Sequence, residues 1–226
     1  VGLVGHSQAQ YLHEVQPMKF AAAEALWETE QPASLSLLTI GDLSGREEVF
    51  SIRLPAMLSL LACNNLTCEV VGMNPLQEQM VEQWGAGDYV PPIPILYWSF
   101  RIMLTSGLVM IGVALLGLFF LFRDSLQKQS WFLRLLPLAI FLPYLANTTG
   151  WLLAETGRQP WIVYGLMKTV EGASVSVGAG NVVFSLLVFG LIYATLMVAD
   201  IYLLAKYARK GPAEETHEAP VLAVSG

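Results

Sequence analysis

Apolar residues gather in three long blocks along the second half of the chain and in short, interrupted runs along the first half. Residues 102–122 are 21 positions without a charge. At about 1.5 Å rise per residue, a helix of that length covers roughly 30 Å, one bilayer core. Residues 135–154 form a second uncharged block that contains Pro137 and Pro143. Membrane helices tolerate such prolines where neighbours satisfy the freed carbonyls. A third block lies within 172–199 and is most apolar over 182–198; its span is set at about 178–204, with Asp200 near the end. The pattern predicts an all-α membrane protein, three transmembrane helices preceded by a partly helical extramembrane segment.

Residues 1–96 are mixed in character and form that first segment. Residues 18–30 are rich in Ala, Glu and Met, which favours helix. Pro17 suits a helix start and Pro32 a stop. GDLSGREE (41–48) reads as a turn. The apolar run at 50–62 is short and interrupted by Arg53 and Pro55, which suits an interfacial or core segment better than a span. Pro91, Pro92 and Pro94 punctuate the chain before the three-helix region at 97–207. Residues 208–226, rich in Pro, Ala and Glu, read as a disordered tail.

Composition agrees with lipid as the solvent. Hydrophobic residues make up 54% of the chain and charged ones 13%, about half the usual share for soluble domains. Mean hydropathy is +0.53. A net charge of -6 argues against a nucleic-acid partner. Arg123, Lys128 and Arg134 follow the first span, and Lys206, Arg209 and Lys210 follow the third; the second loop carries only Arg158 and Lys168. The positive-inside rule makes the first loop and the tail cytoplasmic, and residues 1–96 extracytoplasmic. Trp98, Trp131, Trp161 and Tyr207 fall near span ends, as interfacial aromatics do. Cys63 and Cys68 are too few for a disulfide framework and, with no third or fourth ligand nearby in the sequence, make a poor zinc site; they read as two free thiols or one local bridge. The opening VGLVGHSQAQ reads as a cut edge within a longer protein.

Few side chains suggest chemistry. Glu155 ends the second span, one turn after Trp151 and two after Asn147, so the three share a helix face. A carboxylate at that depth has a partner or a task, or it faces headgroup water. Met103 opens the first span beside Arg101. A thioether there is a packing residue or an iron ligand, and Arg101 either snorkels to the interface or pairs with an acidic group. Met103 and Glu155 lie at the same membrane face by topology. Lys19 and Glu24 stand about 500° apart around a helix, so they read as solvated positions or as a proton-accepting pocket. His6, His13 and His217 lie outside the spans, His6 able to touch an interfacial group, the other two solvated. The chain therefore offers no pair of intramembrane imidazoles.

Three strings go further. EVQPMKFAAAEALWET (14–29) resembles the start of the quinol-binding loop of cytochrome bd-type quinol oxidase subunit I. YWSFRIM (97–103) resembles that family's helix carrying a Met ligand, and GWLLAETGRQPW (150–161) its Glu-plus-GRQPW signature. They stand in the family's order over residues 1 to about 205. The resemblance implies that Met103 is the axial ligand of a low-spin heme b. It implies that Glu155 serves the high-spin heme b and heme d pair, and that Arg101 supports a heme group. Lys19 and Glu24 match loop positions tied to quinol oxidation. Trp151 matches a Trp near the hemes, and Arg158, Gln159, Pro160 and Trp161 form the signature turn. The family's His ligands belong to earlier spans and are expected from outside this segment. The loop matches the shorter variety.

On that resemblance the chain is part of a quinol:oxygen oxidoreductase of the bacterial cytoplasmic (inner) membrane. It would oxidise quinol at the outer face and reduce O2 to water, building a proton gradient without pumping. The implied partners are the remainder of subunit I, a second large membrane subunit, small accessory subunits, and the bilayer. The competing readings are a non-enzymatic membrane scaffold or assembly subunit, and a small proton-coupled transporter piece with Glu155 as its carboxylate.

Overall fold

A computed structural model describes residues 2–42, 46–174 and 176–211. The centre of the 41–48 turn, His217, and most of the expected tail lie outside those residues. The chain divides into two units, residues 1–173 and residues from 174 onward. The second contains one described helix, α8 (Ala179–Lys210), apolar and long enough to cross a membrane. It extends past the expected end at 204, so residues 208–210 are helical.

The first unit opens with α1 (Gly2–Val15) and α2 (Pro17–Ala23). Pro17 occupies the first turn of α2, where its missing N–H is harmless. The helix expected over 18–30 stops at Ala23 despite a sequence that favours continuing it. Ala25 turns left-handed, with φ 49°, and the Leu26 N–H donates back to Ala21 O at 2.9 Å. Tertiary contacts override propensity here, because the Glu24 carboxylate is drawn into a buried network.

Strands β1 (Leu35–Asp42) and β2 (Glu47–Leu54) pair antiparallel, with Ile40 opposite Phe50 and Leu35 opposite Leu54. The run at 50–62 is thus split between β2 and α3 (Met57–Cys63). Arg53, the interruption in that run, donates to Ala25 O at 3.0 Å and pairs with Glu48. Next come α4 (Met73–Trp84) and the first apolar helix, α5 (Ile93–Phe122). The latter starts at Ile93, with Pro94 in its first turn, well before the expected position 102.

The second apolar block is not one continuous helix. It comprises α6 (Ser130–Ala139) and α7 (Phe141–Thr156), broken at Ile140. Pro143 lacks the N–H that Ala139 O would accept, so the ladder fails between the two prolines. A short hairpin of β3 (Trp161–Val163) and β4 (Met167–Lys168) follows. Most apolar side chains of α5, α6 and α7 are exposed, as lipid-facing side chains are. The buried core lies instead among α2, α3, α4, the start of α5 and Trp161. Trp161 is therefore a core residue, 4% exposed, and not an interfacial anchor. Cys63 and Cys68 are joined by a disulfide.

Candidate functional site

Helices α5 and α7 pack antiparallel through small residues on α7. A Cβ at Gly157 would fall 2.7 Å from Leu96 Cδ1, and one at Gly150 3.1 Å from Met103 Sδ. Seven residues separate each member along its own helix, so large residues of α5 seat against glycines of α7. Met103 is half-buried in this seam. Asn147 and Trp151 lie off it; both are exposed, Trp151 by 61%. Beside the seam runs a groove of about 310 Å³, lined by Trp98, Arg101, Thr105, Ser106, Val109 and Leu145 among others.

Arg101 closes the loop onto α5. Its guanidinium donates to Glu24 Oε2 at 2.8 Å, to Ser36 O at 2.7 Å, and to Ala23 O. It also lies over the Tyr97 ring, 4.0 Å from the centroid. The Ser36 N–H donates to Glu24 Oε2 at 3.2 Å. The Tyr97 hydroxyl accepts from the Thr39 N–H at 2.7 Å and shares a 2.8 Å hydrogen bond with Ser36 Oγ. Glu24 is only 1% exposed, which replaces the expected solvated position. Burial pushes its carboxyl above the ordinary value, and Arg101, the Ser36 N–H and Arg53 pull the other way. Arg101 Nε is buried without a partner among the described residues.

At the end of α7 the other loop residue docks. Lys19 Nζ donates to Ala154 O at 3.1 Å. A Cβ at Gly157 would also lie 2.8 Å from Lys19 Cε, so that glycine makes the approach possible. Burial lowers the Lys19 ammonium below the usual lysine value; Arg158 acts in the same direction and Glu155 opposes both. Glu155 and Arg158 form a part-exposed ion pair. Lys19, Arg158, Gln159, Trp161, Tyr89 and Tyr164 are among the residues around a small cavity. Trp161 is held by Trp84 at 5.1 Å and stacks on Tyr89 at 5.8 Å, both ring-centroid distances.

The structure thus gathers the candidates in two places. Lys19, Glu155 and Arg158 meet at the end of α7, while Glu24 and Arg101 meet on α5, two residues from Met103. Lys19 and Glu24 do not share one pocket wall. Sequence reasoning missed Tyr97, Ser36 and Thr39, whose roles depend on a hairpin folding back across 58 to 61 positions. It also missed Tyr89 and Lys168, whose Nζ donates to the Tyr89 hydroxyl at 3.0 Å. His13, expected to be solvated, is half-buried with its ring edge on Phe20. His6 bonds Asn64 Oδ1 at 2.6 Å.

The donor types present suit a porphyrin and its iron: the Met103 thioether lies in the α5–α7 seam, the Glu155 carboxylate at the end of α7, and Arg101 Nε, unpartnered among the described residues, beside the apolar groove. No imidazole lies in α5, α6, α7 or α8, so any His ligand to iron comes from outside these helices.

Comparisons with known proteins agree on one family. The family described as cytochrome bd terminal oxidase subunit I matches residues 1–212. The cytochrome bd ubiquinol oxidase subunit 1 of Bacillus subtilis (strain 168) is 41% identical over 96% of this chain and 47% of its own length. A putative cytochrome bd menaquinol oxidase subunit I of the same organism is 33% identical over 94% of the chain and 45% of its own. The solved structure of bd oxidase from Geobacillus thermodenitrificans superposes with a TM-score of 0.74 at 34% identity, over 93% of this chain and 46% of that one. The chain therefore spans about half the length of the relatives it matches. On this ground the chain belongs to the cytochrome bd terminal oxidase subunit I family.

Proposed function

We propose that the chain forms the quinol-oxidising loop and three spans of a respiratory quinol:oxygen oxidoreductase of the bacterial cytoplasmic membrane. Its observational support is the docking of the loop. Lys19 and Glu24 are fastened to Ala154 and Arg101, on the two helices that carry Glu155 and Met103. Substrate bound at the loop is thereby held close to the candidate iron ligands. Family membership favours this reading over a scaffold or a transporter.

In this reading Lys19, with its lowered proton affinity, binds a quinol oxygen beside Arg158 and Trp161, where a cavity of about 10 Å³ has room for that one atom and the ring lies outside it. Glu24 holds Arg101 in register and, with its raised pKa, takes up a proton more readily than an ordinary carboxylate. Met103 and Glu155 would hold heme groups, a low-spin heme b and the high-spin heme b and heme d pair, with Arg101 Nε free for an acidic edge. Heme bound there supplies one-electron transfer and oxygen binding. Residues 1–96 lie outside, so quinol protons leave outward. Oxygen is reduced to water with protons drawn from the cytoplasm, giving a gradient without pumping. The rest of subunit I brings the His ligands, and a second membrane subunit completes the complex.

The test uses the full-length enzyme in its complex. Lys19→Gln is expected to lower kcat/KM for quinol about 10–100-fold, the loss of a hydrogen bond from a charged donor. Oxygen uptake driven by a one-electron dye that bypasses the loop should stay near wild type. Wild-type quinol turnover in Lys19→Gln contradicts the assignment.

A further inference from the structure

Three ligand-type side chains meet at the start of the loop, apart from the Lys19 cavity and the Arg101 network. His13 lies in the last turn of α1, Cys63 ends α3, and Cys68 follows five residues on. One imidazole nitrogen and the two sulfurs all lie within 4.8 Å of one another. His13 Nδ1 is buried and has no hydrogen-bond partner among the described residues. The edge contact with Phe20, 5.3 Å between ring centroids, fixes the ring.

The backbone around the two sulfurs is held independently of the bond between them. Asn64 adopts a left-handed conformation, φ 56°, that ends α3 and turns the chain. Its side chain is bound by His6, two helical turns before His13 on the same face of α1. Ser59 Oγ donates to Cys68 O at 2.6 Å, and the Thr67 N–H donates to Asn65 Oδ1 at 3.1 Å. Gln31 reaches over to Thr67 O at 3.1 Å. Opening the disulfide leaves these restraints in place, so both thiols stay beside His13.

We propose that reduction of Cys63–Cys68 converts this cluster into a binding site for a thiophilic divalent cation, with Zn2+ as its type. The two thiolates and the His13 imidazole supply three ligands, and water takes the fourth tetrahedral position. The electrons balance simply. A dithiol reductant gives two electrons and two protons, closes its own disulfide, and leaves two cysteine thiols. Each thiol then loses its proton as the cation binds. Zinc and the disulfide are mutually exclusive, because a bonded sulfur offers no thiolate. Burial lowers the His13 pKa, with Glu14 opposing, which favours the neutral ring that ligation requires. The site lies six residues ahead of Lys19. Metal binding would tie α1 to α3 there and stiffen the approach to the loop.

The experiment uses the full-length protein in its complex, purified in detergent without metal. One portion stays oxidised. The other is reduced with a phosphine, desalted without oxygen, and titrated with Zn2+ alone. Bound zinc is measured after a second desalting, and free thiols with a chromogenic disulfide reagent. The expected result is one more zinc per chain in the reduced form than in the oxidised form, with two thiols protected by the metal. His13→Ala, reduced in the same way, should bind that zinc about 10–100-fold more weakly, a loss at least as large as removal of an outer-shell partner. Three results overturn the proposal: equal zinc in both redox states, a disulfide that resists reduction in the folded protein, or unchanged affinity in His13→Ala. The comparison of oxidised with reduced wild type needs no variant to fold.

Discussion

Glu24 carries two demands that oppose each other. Its carboxylate anchors Arg101 and the Ser36 N–H, yet it is buried in a place that favours the protonated form. Its folded pKa lies above the unfolded value, so folding takes up a proton in that interval. The associated stability is complete below the ordinary carboxylate pKa and is lost as pH rises through the raised one. Thermal unfolding across that window should show stability falling with pH in wild type, and a flatter profile in Glu24→Gln. Glu24→Ala leaves Arg101 without its charged partner, with only the Ala23 and Ser36 carbonyls remaining, and should destabilise by about 3–5 kcal/mol, the usual penalty for half a buried pair. Tyr97→Phe strands the Thr39 N–H beneath the hairpin, while Ser36 Oγ keeps its 2.7 Å hydrogen bond with Thr39 Oγ1. Denaturation should register about 1–3 kcal/mol, and no change would mean that water replaces the hydroxyl. Lys19, Glu24, Met103 and Glu155 could be picked from the sequence because they sit in recognisable strings. Tyr97, Ser36 and Thr39 could not, because nothing local marks a tyrosine that meets a strand far away in the chain.

Elements were legible wherever hydrophobicity alone decides them. The apolar helices α5 and α8 follow from uninterrupted runs. The break at Ile140 follows from Pro143 once its missing N–H is set against the carbonyl of Ala139, a detail that block hydropathy averages away. The early stop of α2 was illegible, because Ala-rich sequence promotes helix and only the pull of Glu24 toward Arg101 ends it. Glycines carry the packing between elements. Gly72 sits so close to the Trp27–Glu28 backbone that a Cβ would be 2.4 Å from the Glu28 carbonyl carbon. Backbone cannot yield as a side chain can, so Gly72→Ala should destabilise the loop by about 1–3 kcal/mol, the usual penalty for overpacking. Limited proteolysis would report it as faster cleavage within residues 24–84; wild-type resistance would show that the two segments can separate without loss. Gly150→Ala is milder. It moves the Met103 sulfur by a few tenths of an ångström and should shift the absorption of the low-spin heme without abolishing it.

At the scale of the molecule, the first unit sets a buried core in the loop on α5 and α7, apolar helices that bury little of their own, and α8 in the second unit buries none. That division of labour is what a membrane subunit with a folded extramembrane loop requires. The class was legible from hydropathy, and the family from three short strings. The anchoring of the loop was not, because it is written in long-range contacts to Arg101 and Ala154. The central claim is that Met103 supplies a thioether to heme iron in the complete enzyme. Its most direct test is the reduced-minus-oxidised absorption spectrum of the purified complex carrying Met103→Leu, a swap that keeps the volume of the seam. The account predicts loss or displacement of the low-spin heme b band, with the signals of the other hemes retained. A spectrum indistinguishable from wild type, in a complex with a full heme complement, would contradict it.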